Sequence, residues 1–221
     1  MDKVEAVPVV IKGQTGYDIK VKDPEATVQD YMDALNRFIE ETPCFRTRMP
    51  GKQSCYACDL CCQERIPVTL IDACNLSGNG DVMENIWKFF HVYVEDRVVD
   101  ITMRLNDLGR CRLLDKNKGI CLNYLNRPLV CQTFICCPAT RAAKQLREEV
   151  VNAGEDELVR SWFKSRKNSG RYLINEAINP RLNSGDYSVT PFHSKTSYSQ
   201  VRLKDVCSNT LWLQIACFLE N

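Results

Sequence analysis

The sequence has little of what marks out most function classes. Only two histidines occur in 221 residues, which excludes a metal or catalytic site built mainly from imidazoles. The formal net charge is +1, and the densest basic patch is the short "FKSRKNSGR" at 163–171. No field of one sign therefore favours nucleic acid or an anionic membrane as a partner. Long apolar runs are also missing. The longest, "LWLQIACFL" at 211–219, is nine residues with a glutamine inside it. A bilayer span needs about 20 apolar residues, so this run reads as a terminal core helix. The opening "MDKVEAVPVV" is charged at once and lacks the apolar region of a secretory signal. A cytoplasmic protein is the expectation. No G-x-G-x-x-G, P-loop or G-x-S-x-G occurs, which removes the common nucleotide and serine-hydrolase signatures.

What is abundant is cysteine, with 13 residues. Thiols in a reducing compartment serve as metal ligands or catalytic groups more often than as disulfides. The odd count also forbids complete pairing within one chain. Nine of the thirteen fall in two groups. The first is Cys55, Cys58, Cys61 and Cys62, in "CYACDLCC". The second is Cys111, Cys121 and Cys131 at ten-residue intervals, followed by Cys136 and Cys137. A two-residue spacer lets a turning backbone aim successive sulfurs at one point, and C-x2-C-x2-C is the loop that wraps one side of an iron–sulfur cubane. Cys137-Pro138 has the form of the distant fourth ligand, although Arg65 stands where the local ferredoxin pattern expects a cysteine. Structural zinc uses two separated C-x2–4-C knuckles, and the second group has none. Cys44, Cys74, Cys207 and Cys217 lie outside both groups and are read as bystanders.

The predicted fold class is α+β: a small, irregular, helix-rich domain organised around a cysteine-ligated metal site, with a few short strands and hairpins. One domain over 1–221 is expected, with a hairpin and helix in 1–50, the cysteine core in 51–138 and a helical part in 139–221. Residues 4–21 read as two strands around "KGQTG". Asp23 as N-cap and Pro24 as first residue predict a helix over 24–41. Residues 69–76 read as a short helix, and residues from 81 as a helix running into strand. Residues 111–121 predict a hairpin with Cys111 and Cys121 facing each other at its open end. "RAAKQLREEVVNAG" predicts a helix ending near Gly154, and "EDELVRSWFKSRKNSG" a second ending near Gly170. Residues 183–200 read as loop and edge strand. Glu148 and Glu149 read as a solvated helix face, His91 as packed at the core edge, and His193 as a loop residue with no assigned role.

Two motifs carry a family resemblance. "CYACDLCC" matches a CxxCxxCC signature, and "CLNYLNRPLVCQTF" at 121–134 matches C-x2-Y-x2-R-P-x2-C followed by an aromatic. "CRLL" at 111–114 supplies the cysteine that precedes it. Together, over about residues 55–137, these resemble the YkgJ-like cysteine-cluster proteins, described as zinc- or iron-chelating, whose relatives include the flagellin lysine N-methylase FliB. The resemblance implies metal binding. Its methylase branch implies S-adenosylmethionine and a protein lysine substrate. This chain is shorter than such a methylase and has Gln132 where the family usually has Arg.

The metal ligands expected are Cys55, Cys58, Cys61, Cys62, Cys111, Cys121 and Cys131, with Cys136 and Cys137 in reserve. Arg127 is expected to offset thiolate charge, and Tyr124 to donate a hydrogen bond nearby. An iron–sulfur cluster of the 4Fe–4S type is favoured over zinc as the cofactor. Three functions stand open: an iron–sulfur redox or accessory protein with an unknown protein partner, an S-adenosylmethionine-dependent protein methylase, and a structural zinc protein. If S-adenosylmethionine binds, the Gly-rich turn at 77–81 with Asp81 is the place to seek its contacts.

Overall fold

The computed structural model describes residues 2–49, 58–77, 86, 88–115, 117–169 and 172–219. The described elements are α+β, with short strands in three small sheets and six helices. They group into two compact units. The first comprises Met1–Cys58, Cys131–Val150 and Ser197–Asn221, and the second Asp59–Val130 and Val151–Thr196. Residues 81–85 and 87 of the helix expected from 81, and the Gly-rich turn with Asp81, lie outside the described residues, whereas Ile86, Lys88 and Phe89 are helical. Among the described residues, no helix is long and apolar enough to cross a membrane.

In the first unit, β1 (Val4–Ile11) and β2 (Gln14–Val21) pair antiparallel. Their two-residue turn, Lys12-Gly13, holds positive φ at both positions (50° and 76°), which glycine adopts without strain. Tyr17, Ile19 and Val21 alternate along the buried face of β2. α1 (Val28–Glu41) buries Val28, Tyr31, Met32, Leu35, Phe38 and Ile39, the stripe that helical periodicity requires. Its start differs from the sequence expectation. Thr27, not Asp23, is the N-cap, in a reciprocal box with Asp30. Asp30 accepts from the Thr27 N–H at 2.8 Å and Thr27 Oγ1 accepts from the Asp30 N–H at 3.3 Å. Asp23 instead closes a turn, its carboxylate accepting from the Glu25 N–H and its carbonyl from the Ala26 N–H. That leaves residues 26–28 extended enough to exchange backbone bonds with Val201 and Leu203.

The sulfurs of Cys44 and Cys137 are disulfide-bonded, with Cα atoms 6.4 Å apart. The bond takes one expected bystander and one reserve ligand out of the thiol pool, against the compartment argument. Glu149 is not mere solvation. It accepts from the N–H (2.6 Å) and hydroxyl (2.9 Å) of Ser208, the N-cap of the terminal helix Asn209–Ile215.

In the second unit, a three-stranded sheet has β3 (Phe90–Glu95) at its centre. β4 (Val98–Met103) pairs antiparallel on one side and β7 (Glu176–Ile178) parallel on the other. One face of β3 and β4 presents Phe90, Val92, Val94, Val99, Ile101 and Met103 to the core. α2 (Leu70–Ser77) begins on a second capping pair. Thr69 N–H donates to Asp72 Oδ2 at 2.9 Å, and Asp72 N–H to Thr69 Oγ1 at 3.2 Å. The long helix Arg141–Ser169, α4, follows the short α3 (Leu129–Thr133). It runs unbroken through Gly154, where two helices were expected. Gly154 is there for room. A Cβ at that position would meet Thr69 Cγ2 at 2.5 Å and Thr69 Cβ at 2.8 Å. α5 (Leu203–Val206) and α6 (Asn209–Ile215), both in the first unit, complete the described helices.

Two outcomes test these assignments. Gly154→Ala gains helix propensity of about 1 kcal/mol but forces the Thr69 contact, so the net effect is destabilisation of about 1–3 kcal/mol by urea unfolding. Thr69→Ser removes Cγ2 and keeps the capping hydroxyl, so the double variant recovers part of that loss; strict additivity would contradict the contact. Thr27→Ala, read in the same assay, loses about 1 kcal/mol, whereas Asp23→Ala loses less if Thr27 is the cap.

Candidate metal centre

Three local devices in the second unit bring thiols together. The first is a single 3-10 turn, Leu60–Gln63, which carries Cys61 and Cys62. It is closed by the Cys62 N–H donating to Asp59 C=O (3.0 Å) and the Glu64 N–H to Cys61 C=O (3.3 Å). A 3-10 turn is the compact way to reverse a short, cysteine-rich segment with no apolar face of its own.

The second is the turn that follows β4. Asn106 organises it, its side-chain oxygen accepting from the N–H groups of Leu108 (2.9 Å) and Arg110 (3.2 Å). The chain returns antiparallel, with Cys111 opposite Leu105. Arg110 and Cys111 are thereby delivered to the cysteine turn. The Cys111 N–H donates to Cys62 C=O at 2.6 Å, and Arg110 Nη1 pairs with Asp59 Oδ2 at 2.6 Å.

The third is a hairpin of β5 (Leu114–Asp115) and β6 (Ile120–Cys121). It is shorter than the sequence suggests. Cys121 pairs with Leu114, not with Cys111, because a turn from Cys111 C=O to the Leu114 N–H (3.1 Å) ends the ladder first. Past Cys121, a 3-10 turn at Tyr124–Asn126 places Arg127 over the Tyr124 ring, 4.2 Å from its centroid. Buried Asp72 then accepts from the Leu129 N–H at 2.9 Å, anchoring the end of the motif to α2.

The electrostatics register the convergence. Burial, and then Cys111, Cys121, Cys61 and Asp59 in turn, push the Cys62 thiol up to about 12. Burial foremost raises Cys111 as well, with Cys121 adding to it and a hydrogen bond to the Leu113 backbone opposing. Burial raises Cys121, while the Asn123 backbone and the Arg127 charge pull the other way. Four half-buried thiols and one carboxylate therefore share a neighbourhood in which accumulating negative charge is unfavourable unless a cation compensates it. Such a donor set fits zinc or iron, both of which take thiolate ligands. Among the described residues, no three His, Cys, Asp or Glu side chains already converge as metal ligands, so the thiols must close further to hold one ion.

The structure thus gathers Cys61, Cys62, Cys111 and Cys121 in the second unit, with Tyr124 and Arg127 beside Cys121. Cys58 and Cys131 belong to the first unit, and Cys55 lies outside the described residues. Cys74 sits on α2, and burial raises both it and Cys207. Sequence reasoning missed Asp59 and Arg110, whose only signal was a charge next to each cysteine. It also missed buried Glu157, which accepts from Arg160 and Thr190 and contacts His193 Nδ1 at 2.9 Å. Its 1% exposure makes it a structural tie for the His193 loop.

No curated protein and no solved structure gives a significant match. A family model does match, over residues 54–161, a span containing the cysteine turn, the Arg110–Cys111 return, the hairpin and the Tyr124–Arg127 motif. It is described as "CxxCxxCC: Putative zinc- or iron-chelating domain", and over that span the chain is similar to this family.

Proposed function

We propose that this protein is a cysteine-ligated metalloprotein whose centre is held by Cys61, Cys62, Cys111 and Cys121, and that an iron–sulfur cluster occupies it. The observation that supports this is the backbone bond that sets Cys111 beside Cys62, with Cys61 and Cys121 near enough to help push the Cys62 thiol up. Cys61 and Cys62 are adjacent on one turn, and their side chains diverge from neighbouring backbone positions. A single small ion accepts both with difficulty, whereas a multi-metal cluster offers separate ligation points. When bound, such a cluster supplies one-electron redox chemistry, which supports a redox or accessory role with a protein partner.

The chain's own residues prepare the site. Arg110 pairs with Asp59, which gives that carboxylate a cationic partner beside the thiols. Arg127, stacked on Tyr124, favours the thiolate form of Cys121. The short backbone bond from Cys111 to Cys62 holds two ligand-bearing segments in register.

Protein purified without oxygen is expected to be coloured and to contain iron and sulfide. A colourless preparation with stoichiometric zinc and no iron contradicts the cluster and supports structural zinc, since zinc is spectroscopically silent. Ser replacement of Cys62, Cys111 or Cys121 is expected to remove the metal and lower the melting temperature together, because ligation contributes to folding. Cys74→Ser and Cys207→Ser are expected to retain it, and the same assay on Cys55, Cys58 and Cys131 shows whether they belong to the set. Arg127→Met is expected to weaken metal retention by about tenfold, the lower range for groups that orient and tune ligands. Saturable S-adenosylmethionine binding by the anaerobic holoprotein would instead favour the methylase reading.

A further inference from the structure

A second polar concavity lies on the sheet of the second unit, and its chemistry is unrelated to thiols. It is a cleft of about 280 Å3 lined by Arg65, Pro67, Tyr93, Asp100, Thr102 and Glu155. Its floor is the face of the sheet turned away from the core. Tyr93 on β3 stands opposite Asp100 on β4, and Thr102 stands opposite His91. Pro67 bridges to Thr102 along the outer edge of β4. Glu155 comes from α4, one residue beyond the glycine that lets the helix approach Thr69.

Two features of this cleft suit a ligand. Thr102 is 8% exposed, and among the described residues its Oγ1 has no hydrogen-bond partner. Buried hydroxyls are almost always paired, because leaving one unpaired costs about 1–3 kcal/mol. Beside it, Asp100 and Glu155 both line the cleft. Burial and then Asp100 push Glu155 up to about 8, with Asp156 adding and the Ile101 backbone opposing. Burial and then Glu95 raise Asp100. Among the described residues, the only cation lining the cleft, Arg65, is engaged by Glu176 at 3.3 Å. Glu176 is shared with His91 Nε2 at 3.4 Å, and burial keeps that imidazole below its ordinary pKa. The site therefore presents acceptors with little compensating positive charge.

We propose that this cleft binds a small organic ammonium ion, with the carboxyl groups of Asp100 and Glu155 and the hydroxyl of Thr102 receiving its N–H groups. An alkylammonium has three N–H donors and no acceptor, matching these three oxygens. Tyr93 and Pro67 supply an apolar and π-rich wall for its carbon body. A divalent metal is a poorer fit. It needs three or more such ligands, and among the described residues no group of three His, Cys, Asp or Glu is set for one.

The pH behaviour follows with a definite sign. In the folded protein without ligand, Glu155 keeps its proton up to about pH 8, while the unfolded chain loses it near 4.5. Between those values the folded state binds more protons, so stability falls as pH rises and levels off above about 8. Glu155→Gln is expected to flatten this slope relative to wild type in melting scans from pH 5 to 9; an unchanged slope would show that Glu155 is not protonated there.

The test is calorimetric titration of the full chain with butylammonium chloride. One site per chain is expected, tightening from pH 6 to 9, with proton release near pH 7 seen as a buffer-dependent heat. Glu155→Gln and Asp100→Asn are each expected to weaken binding at least about tenfold, equivalent to 1.4 kcal/mol. Thr102→Val, nearly the same shape, is expected to weaken it several-fold while the melting temperature holds or rises. Tetramethylammonium, which lacks N–H donors, is expected to bind far more weakly. The proposal is overturned if butylammonium gives no saturable heat or if Glu155→Gln binds as well as wild type. Equal binding of tetramethylammonium, or stoichiometric displacement of butylammonium by Mg2+ or Ca2+, overturns it as well.

Discussion

The candidate centre hangs on the bond from the Cys111 N–H to the Cys62 carbonyl, flanked by the Asp59–Arg110 ion pair. Everything else at the centre follows from that seam. None of the four residues of the cysteine turn is buried; all are half-buried or exposed. It therefore cannot be positioned by hydrophobic packing. A directional backbone bond between two half-buried strands of chain can do so, because little water competes there and an unmade bond would be expensive. The ion pair is partly exposed and adds only modest stability. Its larger effect is to hold a carboxylate beside the thiols without leaving its charge uncompensated.

Burial acts on both polar sites of the second unit, and with different outcomes. At the cysteine cluster it disfavours thiolates, and Arg127 offsets this at Cys121. At the cleft it disfavours carboxylates, and the cation lining it among the described residues, Arg65, is already paired with Glu176. At each site the surroundings disfavour the charged form, and a cation would offset that. A metal meets that requirement at the first site and an ammonium at the second.

Much of this was legible in the sequence, for identifiable reasons. The stripe of α1 was legible because Val28, Tyr31, Leu35 and Phe38 repeat with the helical period. Its start was not, because Asp23-Pro24 signals a turn as well as a cap and the Thr27–Asp30 box prevailed. Gly154 was read as a terminator because glycine is a poor helix former; only the closeness of Thr69 shows why it is tolerated mid-helix. That nine of the cysteines fall into two groups followed from their spacing. The Cys44–Cys137 bond did not, since it depends on two distant segments meeting in space. Asp59, Arg110 and Glu155 carried no motif. Glu155 lies three and four residues before buried Leu158 and Val159, a place on the apolar stripe of α4 where an acid is out of character.

The central claim is that thiolates of this chain surround a metal. X-ray absorption at the metal edge of the anaerobically purified full-length protein tests it most directly. The account predicts a first shell of sulfur near about 2.3 Å, the thiolate distance, with a metal–metal vector if a cluster is present. A first shell of nitrogen and oxygen alone would contradict it.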